Sequence, residues 1–140
     1  MRFGSLSYEQ KNLALRLLLW TIAIVQCSAI LAVIMPRSWM DWCGDSMGVG
    51  ELSQTPLAGY LARLSSAMYV VHGTLVGYVA AKLPKSSLMV RPLALTTGLL
   101  GLMMLWIDSI EAMPQAWLFV ECTALFGSAL CMYVLRPDSD

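Results

Sequence analysis

The run LLLWTIAIVQCSAILAVIM, residues 17 to 35, contains no charged side chain. A membrane-spanning helix needs about 20 predominantly apolar residues, and this run has that length. Three further segments also qualify. The sequence therefore predicts an all-α integral membrane four-helix bundle with spans at about 14–35, 56–81, 92–112 and 115–135. The chain length of 140 residues predicts one four-span domain covering 1–140.

The composition agrees with a membrane protein. Hydrophobic residues make up 58% of the chain and charged residues 13%, whereas soluble domains carry about 45–50% apolar and about 25% charged residues. Nine Lys and Arg residues balance nine Asp and Glu residues. This balance excludes a strongly basic nucleic-acid-binding protein. We therefore expect the lipid bilayer, and no nucleic acid, among the partners.

The distribution of charge predicts the orientation in the membrane. Seven of the nine basic residues fall on one side, namely Arg2, Lys11, Arg16, Lys82, Lys85, Arg91 and Arg136. The other side carries mainly acidic residues, Asp41, Asp45, Glu51 and Glu111, together with Arg37. Because cytoplasmic loops carry an excess of Lys and Arg, a multi-pass protein with both termini in the cytoplasm is predicted.

Prolines and the connecting segments indicate where the spans begin and end. A proline cannot continue a helix but suits its first turn. We therefore expect span ends at Pro36, Pro84 and Pro137 and span starts at Pro56, Pro92 and Pro114. Thr55 is predicted to cap the second span. The segment Arg37–Leu52 is predicted to be either a short interfacial helix or a loop anchored by tryptophans, and three glycines favour a loop in its second half: Gly44, Gly48 and Gly50.

Three ionisable residues, Arg63, Asp108 and Glu121, fall within the spans at similar depth. A charge inside a bilayer costs at least about 2.5–3.5 kcal/mol, so such residues are usually paired. Each of the three shares a helical face with small residues, which mark close helix–helix contact. We therefore predict a buried cluster of these residues, with Trp117 beside it, in which Arg63 pairs with a carboxylate. The cluster is either a structural clamp or a polar ligand pocket.

His72, the only histidine, lies near the middle of the second span. At about 100° per residue it points away from Arg63 and lies on the side of Tyr69 and Ser65. The residue is either a hydrogen-bonded structural histidine or a group that exchanges protons or contacts a partner.

No catalytic or metal-binding motif accompanies these residues. The four cysteines contain no C-x-x-C pair, so neither a metal site nor a cofactor is predicted. The sequence has no phosphate loop, dinucleotide fingerprint or nucleophile elbow. We therefore expect no catalytic residues; a function other than that of an enzyme is favoured, and an enzyme is not excluded.

The segment GYLARLSSAMYVVHG, residues 59 to 73, resembles a family of uncharacterised small bacterial four-span membrane proteins. Ile107-Asp108, Met113-Pro114, Trp117 and Glu121 fit the later part of that pattern. The resemblance implies a bacterial inner-membrane protein and brings no known activity. The chain is more distantly similar to the DoxX-like group of four-helix membrane proteins, some of which accompany oxidoreductases. That second similarity is an analogy at the level of the fold.

These features predict an accessory or interaction subunit whose partner is another membrane protein or a second copy of the chain. The alternative is a membrane oxidoreductase component or a binder of a small quinone-like or lipid-like ligand. A small transporter is the least favoured class, because the chain is short and lacks the paired repeats and broken helices of many transporters.

Overall fold

The structure, a computed structural model, describes residues 7–48, 55–83, 85–111 and 113–136. The described residues form six helices and no strand, which confirms the all-α fold class. The helices are α1 (Tyr8–Cys27), α2 (Ile30–Ile34), α3 (Arg37–Ser46), α4 (Pro56–Lys82), α5 (Ser87–Ile110) and α6 (Gln115–Leu135). Expectations for Arg2, Gly50, Glu51, Pro84 and Pro137 fall outside the described residues.

Four stretches are long and apolar enough to cross a membrane. They are Tyr8–Ile34, which joins α1 and α2, and the helices α4, α5 and α6. The shortest, α6, has 21 residues, which at 1.5 Å per residue corresponds to about 32 Å. A hydrocarbon core is about 30 Å thick. The architecture is therefore that of an all-α helical bundle compatible with an integral, multi-pass membrane protein.

Helices α4 and α6 have nearly the bounds predicted for the second and fourth spans, whereas the helices of the first and third candidate spans begin earlier than predicted. The second span begins at Pro56, and the hydroxyl of Thr55 accepts a hydrogen bond from the Ala58 backbone N–H at 3.3 Å, which confirms the predicted cap. The first span begins at Tyr8 rather than at residue 14. Ser7 and Gln10 explain this earlier start. Each side chain accepts a hydrogen bond from the other residue's backbone N–H, and the two bonds form a capping box at the start of α1.

The third span begins at Ser87, so the expectation that Pro92 opens it was wrong. Pro92 lies inside α5, where its missing N–H leaves the Leu88 carbonyl without its usual helical partner. Membrane helices tolerate such prolines when neighbouring groups satisfy the freed backbone. The Thr96 hydroxyl makes separate hydrogen bonds one turn later, to the Pro92 and Leu93 carbonyls, both at 3.0 Å.

The segment after the first span forms the short helix α3, one of the two alternatives that the sequence allowed. Gly44 lies inside α3, so the loop expected in the second half begins later than Gly44. Gly48 follows the helix with a φ of 74°, a left-handed backbone conformation that glycine adopts without steric strain.

The chain divides into two compact units. The first unit comprises Met1–Thr21 with Val76–Asp140, and the second comprises Ile22–Leu75. The first unit contains the largest fully buried side chains, Leu15, Leu19, Val76, Val79, Val90 and Met132. In this unit α5 and α6 pack closely at Gly101, where an added Cβ would lie 3.1 Å from the Phe126 ring. The single domain over 1–140 stays a prediction.

The second unit is built around a close approach of α1 and α4 at Gly73. A Cβ at this buried position would lie 2.9 Å from the Gln26 Cβ and 3.0 Å from the Cys27 backbone nitrogen. Only glycine leaves room for two helices at that distance, a packing mode common in membranes. This contact brings the polar side chains of the two helices together at the same level.

Candidate functional site

Arg63 caps the end of the first span. Its guanidinium donates hydrogen bonds to the carbonyl oxygens of Val33 and Met35, the second at 3.0 Å. The last carbonyls of a helix have no partner within the helix, and the helix dipole makes this end negative. Pro36 stops the helix at this point. The charge of Arg63 therefore meets partial negative charges of the backbone inside the second unit.

Asp108, Glu121 and Trp117 belong to the first unit. The indole N–H of Trp117 donates to Glu121 Oε2 at 3.0 Å. Of the four residues of the predicted cluster, Trp117 and Glu121 are thus in contact. The position of Asp108 beside them stays a prediction. Pairing of Arg63 with Asp108 or Glu121 stays a prediction.

Asp108 is the most deeply buried charged residue of the described chain. It is only 3% exposed, and its Oδ2 has no hydrogen-bond partner among the described residues. A buried carboxylate oxygen without a donor is strongly unfavourable in a low-dielectric surrounding. The site therefore offers one acceptor for a hydrogen-bond donor or a cation.

His72 forms a hydrogen bond with Gln26 on α1, and its Nδ1 lies 2.7 Å from Gln26 Oε1. With the amide oxygen as acceptor, Nδ1 carries the proton and Nε2 is left as the basic ring nitrogen. Both residues are only half-buried. His72 and Arg63 thus bind different parts of the first span, and they share no hydrogen-bond partner among the described residues.

Ser65 and Tyr69 follow the same side of α4 as His72. The Ser65 hydroxyl is exposed and donates to the Leu61 carbonyl of its own helix at 2.9 Å. Tyr69 is half-buried. Neither residue forms a described hydrogen bond with His72. Among the residues predicted for this face, His72 with its partner Gln26 is therefore the candidate for a functional role.

Gln26 and Cys27 belong to the α1–α4 contact and were not predicted from the sequence. Gln26 is the one strongly polar side chain in the uncharged run 17–35, and its depth matches that of His72. That match was a signal for the pair. The Cys27 sulfur lies 3.9 Å from the Val70 carbonyl oxygen and 3.9 Å from the Thr74 hydroxyl. No sequence spacing indicates these contacts.

The described residues contain no group of three or more His, Cys, Asp or Glu side chains that could hold a metal ion. The resemblance to small bacterial four-span proteins and to the DoxX-like group stays a prediction. No protein-family model, no curated protein and no solved structure matches the chain.

Proposed function

We propose that the protein is an accessory subunit of a membrane complex and that the face around Gln26 and His72 contacts another membrane protein. The observation that supports this proposal is a half-buried polar pair deep within the spans. At 1.5 Å per residue, His72 lies about 24 Å from the Pro56 end of α4 and about 15 Å from the Lys82 end. This depth corresponds to the middle of a bilayer.

The pair retains polar groups that a partner helix can satisfy. Gln26 has two amide N–H donors, and His72 has Nε2, without a hydrogen-bond partner among the described residues. Such groups are costly in hydrocarbon and gain about 0.6–2 kcal/mol per hydrogen bond formed across helices. Covering this face with a second membrane protein therefore stabilises both the pair and the complex.

The test is site-specific photocrosslinking in living cells from two positions of matched exposure. Met68 lies one helical turn before His72 on the same face, and Tyr78 lies about 120° away. Their exposed fractions are 63% and 61%. A probe at Met68 should capture one membrane protein, identified by mass spectrometry, whereas a probe at Tyr78 should give only lipid adducts. The double change Gln26→Leu with His72→Leu should lower the capture from Met68.

Two outcomes contradict an accessory role. Lipid adducts alone from Met68 would show that the face is exposed to the bilayer. Capture of a second copy of the chain would assign the face to a homodimer. In the first case the polar pair has a role within a single chain, and in the second it contacts another copy of this protein and not a different subunit.

A binder of a small ligand is the second candidate function, and the free oxygen of Asp108 favours it. This oxygen could accept a hydrogen bond from the hydroxyl of a reduced quinone. The test is thermal stabilisation of the purified protein by a short-chain quinol. Asp108→Asn should abolish the stabilisation, whereas Ser109→Ala, a change at the exposed neighbour, should leave it intact. An equal response of Asp108→Asn and the wild type would exclude this ligand site.

The proposed location is the bacterial inner membrane with both termini cytoplasmic. The unequal distribution of Lys and Arg between the two sides supports this orientation. A reporter fused after Arg136 should be active in the cytoplasm. Activity of a periplasmic reporter at the same position would reverse the orientation.

A further inference from the structure

An apolar groove runs along the contact between α5 and α6 in the first unit. It offers about 440 Å³ of space. Its lining combines small residues with larger apolar side chains and includes Ala94, Gly98, Leu102, Phe126, Ala129 and Tyr133. At 1.5 Å per residue, the part between Ala94 and Leu102 is about 12 Å long. A groove of this form suits a single hydrocarbon chain.

The packing of α5 on α6 places two arginines at one end of the groove. An added Cβ at Gly98 would lie 3.7 Å from the Ala129 Cβ, so these positions face each other. The helices are antiparallel, and each step towards the start of α5 is matched by an equal step towards the end of α6. Ala94 is therefore level with Tyr133, and Arg91 is level with Arg136.

The charges at this end suit a phosphate group. The Arg136 guanidinium lies over the Tyr133 ring, 4.8 Å from its centroid, and this stacking holds it next to the groove. Arg91 is exposed. Guanidinium groups bind phosphate oxygens through paired N–H donors. Residues 87–95 and 129–136, which flank this end of the groove, contain no carboxylate.

We propose that Arg91, Arg136 and the α5–α6 groove form a binding site for an anionic phospholipid. One acyl chain lies in the groove, and the phosphate and headgroup lie between the two arginines. The combination of a hydrocarbon-sized groove with two cations at its end matches this chemical class. The site is remote in sequence from the Gln26–His72 pair and does not depend on the accessory role proposed above.

The test compares two lipids that share acyl chains and differ in headgroup charge. Dioleoyl phosphatidylglycerol and dioleoyl phosphatidylethanolamine are titrated into the purified full chain, and bound lipid is counted by native mass spectrometry. Each basic residue near a membrane surface strengthens the binding of an anionic lipid. Two such residues should together make the affinity for phosphatidylglycerol about thirtyfold higher than that for phosphatidylethanolamine. Arg91→Gln with Arg136→Gln should remove that preference. Lys82→Gln with Lys85→Gln, the matched control, should retain most of it.

A second variant tests the groove separately from the charges. Ala129→Leu fills the groove without changing the charge, and it should weaken binding of both lipids. Thr123→Leu makes a similar change on another face of α6 and should not. Equal affinities of the two lipids for the wild type, or an unchanged preference in the double arginine variant, would overturn the proposal. Lipid binding that Ala129→Leu leaves unaltered would also overturn it. The same holds if the wild type is a dimer and Ala129→Leu dissociates that dimer, because a second copy of the chain would then occupy the groove.

Discussion

Gly73→Ala offers the sharpest test of the α1–α4 packing. The new methyl group would lie 2.9 Å from the Gln26 Cβ and 3.0 Å from both the backbone nitrogen and the sulfur of Cys27. A backbone atom cannot move aside as the end of a flexible side chain can. The two helices must therefore separate, and overpacking of this kind typically costs about 1–3 kcal/mol.

Gly127→Ala is the matched control, because an added Cβ at Gly127 meets nothing within 4 Å. Both glycines lie inside long helices, where alanine is favoured over glycine by about 0.5–1 kcal/mol. This gain is common to the two variants and cancels when they are compared. The difference in unfolding free energy between them therefore isolates the steric overlap, about 1–3 kcal/mol.

The measurement is reversible unfolding in mixed detergent and SDS micelles, followed by far-ultraviolet circular dichroism. We expect Gly127→Ala to be slightly more stable than the wild type and Gly73→Ala to be clearly less stable than Gly127→Ala. Equal stability of the two alanine variants would refute the close approach of α1 and α4 at Gly73. It would also remove the reason for placing Gln26 beside His72.

Three further predictions concern charges and caps, each measured by the same unfolding assay. Arg63→Ala should lower the unfolding free energy by about 1.5–3 kcal/mol, because charged hydrogen bonds to two carbonyls are lost; Arg63→Gln should restore only part of it. Double-mutant cycles of Arg63→Ala with Asp108→Asn and with Glu121→Gln should give a coupling of about 0.5–3 kcal/mol for at least one pair, and additivity in both cycles would exclude the predicted pairing. Ser7→Ala should cost about 1 kcal/mol through the lost cap, and an unaffected Ser7→Ala would show that the first turn of α1 does not contribute to stability.

The apolar runs were sufficient to predict four long apolar helices. The ends of these helices were predicted well only where capping residues and prolines mark them in the sequence. Thr55 and Pro56 give an N-cap and a first-turn residue in sequence order, so the start of α4 was predicted correctly. The first span extends past Lys11 and Arg16, whose long stems can cover apolar surface while their charges reach water. The Arg16 guanidinium reaches the Leu83 carbonyl at 2.7 Å, a contact that a search for uncharged runs does not consider.

The polar sites show a different limit of sequence reasoning. The depth and the helical face of a residue follow from its number in the sequence. The sequence can therefore predict that His72 is separate from Arg63 and that Trp117 lies close to Glu121, one turn away. The partners of Arg63 were not, because they are backbone carbonyls that every residue carries. A carbonyl becomes a partner only where a helix ends, and Pro36 provides that end. A proline that terminates one span can therefore explain a buried arginine on the next span, and a buried cation in such a protein does not by itself require a carboxylate.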